Sequence, residues 1–173
     1  MNWSSFDSIL FTLDKVILIT YFVILVLAVL VERKVSSFVI TVIVLTVANS
    51  VMTSLSPVMY QFSSQPGLIA KFSWYAGFAL IDMMALFLLY KFHQLLNQNV
   101  CYVAQLVGML FLAFATLQTA RFIDRFVFHT DLLQQVYKYA IPVLNVTLVP
   151  IIVFFWLSEM RRTHRYTRMG TVQ

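Results

Sequence analysis

Charge is what this sequence most lacks. Only 11% of its 173 residues are Asp, Glu, Lys or Arg, against about 25% in an ordinary soluble domain. Hydrophobic residues make up 61%, and the mean hydropathy is +0.85. So little polar surface cannot coat a water-soluble body, and the chain reads as a membrane protein. Cysteine is nearly missing as well. Cys101 stands alone, which excludes an intramolecular disulfide and a paired-thiol relay.

Three further absences narrow the chemistry. A haem held between helices needs two histidines at one depth. Here His93 falls at one membrane edge, His129 beyond the other and His164 near the C-terminal end. No two of His, Cys, Asp and Glu stand at i, i+3 or i+4 within an apolar run, so no helical metal motif is present. No metal or other cofactor is therefore expected. An intramembrane aspartyl pair would need a second mid-span Asp, and a serine nucleophile such as Ser50 would need a deep histidine; neither exists. The expectation is a non-catalytic protein. The first residues carry no basic stretch before a short apolar one, so no removable signal peptide is expected. The net charge of +5 gathers at the ends of apolar runs rather than on one face, which argues against nucleic acid.

What the chain has is apolar runs of membrane-spanning length. About 20 helical residues at 1.5 Å each cross roughly 30 Å of hydrocarbon. Five such runs are present, at about 14–31, 35–60, 73–92, 100–120 and 136–158, followed by a basic tail at 159–173. The fold predicted is all-α: a polytopic transmembrane bundle of about five spans, forming a single domain over 1–173. The first run is almost wholly aliphatic and is expected to be the most lipid-facing. Glu32-Arg33-Lys34 forces a tight turn, and Pro57 with the polar stretch after Tyr60 is expected to end the second span.

Orientation follows from the basic residues. With the N-terminus outside, the inner segments hold Arg33, Lys34, Lys91, Arg161, Arg162, Arg165 and Arg168. The outer ones hold Lys15, Lys71, Arg121, Arg125 and Lys138. The arginine-rich tail decides for N-out/C-in in a plasma (inner) membrane.

One residue breaks the apolar pattern where it is most expensive. Asp82 lies near the centre of the third span, on a face with Tyr75, Ala79, Leu86 and Leu89. A charge there costs several kcal/mol even on lenient scales, so such a residue is paired, neutral or functional. Asn49, Asn145 and Thr147 fall at similar depth and complete the expected intramembrane polar site. Small and polar residues also form stripes, with Thr46, Asn49, Thr53 and Ser56 on the second span. On the fourth they are Gln105, Gly108, Ala115 and Thr119. Pro142 and Pro150 free the carbonyls of Lys138 and Val146 in the fifth. Beyond the fourth span, Arg121, Phe122, Arg125 and Phe126 read as a candidate partner-binding segment, either interfacial or extending that helix. Asp131 to Gln134 resembles a helix-capping box.

Short loops and the missing catalytic constellation favour action through another protein. Such a chain would be a small subunit, assembly factor or immunity-type protein of a membrane complex, in contact with the bilayer and with another membrane protein or a second copy. The alternative is a small oligomeric proton- or ion-conducting protein using Asp82.

Overall fold

The computed structural model describes the backbone of residues 5–170 and the side chains of residues 12–161 except Glu159. It contains five helices and, among the described residues, no strand. They are α1 (Ser5–Glu32), α2 (Ser37–Ser63), α3 (Leu68–Leu95), α4 (Tyr102–Phe126) and α5 (Gln134–Gly170). Each holds a segment long and apolar enough to cross a membrane, and the chain is a multi-pass membrane protein. Consecutive helices are neighbours, and α5 closes a ring by touching both α4 and α1. α3 and α4 pack most extensively, and α5 most lightly.

Packing in lipid comes from close fit rather than from water expulsion, and small residues set it. On α1 the buried positions Ile17, Tyr21, Ile24 and Ala28 make one narrow stripe flanked by the partly buried Leu13 and Leu25, and most other aliphatic side chains face outward. α5 buries an even smaller share of its span. A Cβ on Gly108 would lie 3.4 Å from Leu86 Cδ1 and 3.7 Å from Leu89 Cδ2. That is ordinary van der Waals contact, so Gly108, one turn from the buried Ala104, marks the face that α4 turns to α3.

Three boundaries differ from the sequence reading. α1 begins at Ser5 rather than near residue 14. α2 runs through Pro57 to Ser63. Flanked by lipid-exposed Val58 and Phe62, its backbone has no water to bond if it unwinds, so the helix continues past the missing donor. α5 is 37 residues long, about 55 Å at 1.5 Å per residue, and extends as helix into the segment read as a tail. The side chains of Arg162, Arg165 and Arg168, which carry much of the charge bias, lie outside the described residues.

The end of the bundle holding the α1–α2 and α3–α4 links is solidly packed. Arg33 turns the chain with a left-handed φ of 51°, and the Ser36 hydroxyl caps α2 by accepting from Val39 N at 3.2 Å. Trp156 stacks on Phe38, ring centres 5.4 Å apart, and donates its Nε1–H to Glu32 at 2.9 Å. α3 ends in a Schellman turn with Asn97 at φ 48° and Gln98 N bonded to His93 O. His93, placed by sequence at a membrane edge, is a buried residue of α3. Its Nδ1–H donates to Leu89 O at 2.7 Å, and its Nε2 shares a 2.7 Å hydrogen bond with the Ser37 hydroxyl. Ser37 Oγ in turn accepts from Cys101 N at 3.0 Å. One imidazole and one hydroxyl therefore tie the starts of α2 and α4 to the end of α3. His93→Ala removes the ring partner of the buried Ser37 hydroxyl and is expected to cost about 1–3 kcal/mol. Thermal unfolding in detergent checks this, and an unchanged midpoint would contradict the tie.

Candidate functional site: a cavity above Asp82

The opposite half of the bundle is hollow. A cavity of about 660 Å³ lies inside the ring, with walls from all five helices. Each wall is a stripe stepping three or four residues at a time. α2 supplies Leu45, Asn49, Thr53, Ser56 and Tyr60; α3 supplies Trp74, Phe78 and Asp82. α4 supplies Phe111, Phe114, Gln118, Arg121 and Arg125, and α5 supplies Tyr137, Ile141, Asn145 and Leu148. Asp14 is the contribution of α1. Arg125, Gln134 and Lys138 line the cavity and are also exposed, which marks its mouth at the end of the bundle where α5 begins.

Most polar side chains in the spans satisfy themselves. Thr46, Ser50, Ser56 and Thr119 donate to the carbonyl four residues back, at 2.7–2.9 Å. Asn49 does the same through Nδ2 to Leu45 O at 2.9 Å. An ionised carboxylate cannot, because it only accepts. Asp82 is 1% exposed, and its Oδ1 has no hydrogen-bond partner among the described residues. It is bonded to neither Asn49 nor Asn145, so the geometry does not supply the interhelical pairing one would expect of a purely structural Asp. Higher in the cavity, Trp74 Nε1–H donates to Tyr137 OH at 3.1 Å, and Tyr137 donates to Gln118 Oε1 at 2.8 Å. This chain links α3, α5 and α4.

Of the expected polar site, the cavity gathers Asp82, Asn49 and Asn145. Thr147 is excluded: it is exposed and bonded to Val143 O at 2.7 Å. Two residues on a helix are about 200° apart, so Asn145 and Thr147 cannot share a face. The α4 stripe is also turned from the expected one. Gln105 and Thr119 are exposed, whereas Gln118 and Arg121 are buried.

The segment read as partner-binding is mostly spent within the chain. Residues 121–126 are the end of α4, not a separate interfacial helix. Arg121 is 3% exposed and bonds Asp124 Oδ2 at 2.6 Å and Asp131 Oδ1 at 2.7 Å. Phe122 and Phe126 pack on Tyr75, with ring centres 6.0 and 6.3 Å away, and Phe122 also meets Phe72 at 5.1 Å. Arg125 alone of the four is exposed. Asp131 does not cap α5 with its side chain. Asp124 does so instead, accepting from Leu133 N at 3.1 Å, and it also binds Thr130.

Tyr60, Trp74 and Tyr137 share one end of the bundle, where they line the cavity. Tracing α4 inward from Arg121 in steps of three and four reaches Gln118, Phe114 and Phe111; that periodicity was the available signal for the wall. A polar floor, an aromatic middle and a charged mouth are the features of a site that admits a small polar or amphiphilic species part-way into the bilayer. No protein-family model, curated protein or solved structure matches this chain.

Proposed function

We propose that this chain is a small transport protein of the plasma (inner) membrane in which Asp82 takes up a proton or a cation from the cavity. The observation that carries the reading is the unpartnered, buried Oδ1 of Asp82 at the floor of that cavity. An intramembrane carboxylate without a neutralising partner marks an ion or proton path by default. The solid half of the bundle, with its Phe38–Trp156 stack and His93 tie, supports uptake from one side with passage gated at the other. One chain encloses the cavity, so the reading needs no second copy.

In proteoliposomes carrying a pH-sensitive dye, the wild-type protein is expected to dissipate an imposed proton or cation gradient. Asp82→Asn is expected to fall to the rate of protein-free vesicles. Equal rates for the two proteins would overturn the proposal. With N-out/C-in orientation the cavity faces outward. A reporter after Gln173 is then expected inside the cell and one at Met1 outside; inside signals from both would contradict five crossings.

Action through a protein partner is the second reading, favoured by one observation. α5 continues as helix from Glu159 to Gly170, beyond its apolar span, which offers an inner-side extension for docking. The outer Arg121–Phe126 segment no longer supports it.

A further inference from the structure

We infer that the cavity is built to hold an organic ammonium compound, an amine on an aromatic or otherwise apolar body, rather than a bare inorganic ion; this rests on the transport reading of the same site. Size is the first argument. A volume of about 660 Å³ falls within the range that encloses small organic ligands, roughly 300–1,000 Å³. A dehydrated inorganic cation needs a close shell of oxygens instead. Among the described residues, no three carboxylate, imidazole or thiol groups gather to hold a metal ion.

The lining is the second argument. Trp74, Phe78, Phe111, Phe114 and Tyr137 give the cavity an aromatic middle, which attracts an ammonium through the ring faces and an apolar body through contact. Asp82 Oδ1 is an acceptor in need of a donor, and an ammonium N–H supplies both the proton and the opposite charge. The side-chain amide of Asn145 lines the same cavity and has no bond within the protein among the described residues, so it is available to orient the ligand.

The mouth does not oppose a cation. Arg121 is held between Asp124 and Asp131, and Asp14 lines the cavity together with Arg125 and Lys138. Positive and negative groups are thus balanced there. Because Asp82 is itself almost inaccessible, the ammonium head reaches Oδ1 only after the side chains covering it shift. Rotamer changes of this kind are fast compared with transport.

Calorimetric titration of the purified protein with diphenylpropylamine, and with diphenylpropanol as its neutral counterpart, tests the inference. The amine is expected to bind about tenfold tighter or better, the effect of one charge-assisted contact. Asp82→Asn is expected to remove the difference while still binding the alcohol. The comparison of the two compounds on the wild-type protein needs no variant, so it stands even if Asp82→Asn fails to fold. Equal affinities on the wild type, or an amine preference that survives in Asp82→Asn, would overturn the inference. Asp82-dependent proton flux with equal affinities would overturn the ammonium inference alone. Amine preference without any flux would support the site and overturn the transport reading.

Discussion

Asp82→Leu is expected to raise the melting temperature of the bundle in detergent, and Asp82→Asn to leave it nearly unchanged. A buried acceptor without a donor carries a desolvation cost of about 1–3 kcal/mol, and Asp82 Oδ1 is such an acceptor. Leucine removes that cost and suits the aromatic and aliphatic surroundings of Phe78, Phe111 and Leu148. Asparagine keeps the shape and the hydrogen-bonding capacity but not the ionisable group. Were Asp82 glue between helices, leucine would instead strand a partner and lower the melting point. The structure offers no such partner, since Asn49 is bonded to its own backbone. Both variants are expected to lose transport. A stabilised, inactive Asp82→Leu is the signature of a residue kept for function at the expense of the fold. A melting temperature lowered by leucine would contradict this.

Arg121→Met is expected to be the most destabilising single polar substitution in the chain. Arg121 is buried and joins Asp124 and Asp131. Asp124, held through it, also accepts from Leu133 N and Thr130 and so fixes the whole turn from α4 into α5. Removing the guanidinium leaves the buried Asp124 carboxylate without the cation bonded to it, which is far worse than replacing both partners. A melting transition lowered by roughly 5–10 °C is expected. Arg125→Ala is the control. Arg125 is exposed, and its described contact is with the Phe126 ring, 5.5 Å away, so no measurable change is expected. Equal effects from the two substitutions would return the segment to a surface role.

The contrast between these arginines shows where sequence reading stops. Five spans follow from composition and run length, because backbone satisfaction in lipid allows little besides a helix. The unusual status of Asp82 follows from its depth in an apolar run. Arg121 and Arg125 look alike in sequence, one turn apart on α4; burial of the first depends on Asp131, ten residues on and across a loop. His93 looked like a residue of the membrane edge because Ser37, its partner on another helix, is far away in the sequence. Pro57 read as a terminator because the soluble-protein rule penalises the missing donor, whereas in lipid unwinding costs more. Thr147 was grouped with Asn145 by depth alone, and helical phase separates them. The cavity itself was visible only as aromatic and polar stripes on four helices, and their convergence is a property of the closed ring.

The most direct test of the central claim is whether Asp82 exchanges a proton with the cavity. Infrared difference spectroscopy of the carboxyl stretch, recorded across the pH range in which the protein stays folded, reads this at one residue when Asp82→Asn is the reference. A carboxyl band that appears and disappears with pH in the wild type, and is missing from Asp82→Asn, is the expected result. A band assigned to Asp82 that keeps the same intensity at every pH would mean a sealed, structural carboxyl group, and would contradict its role as the site of uptake.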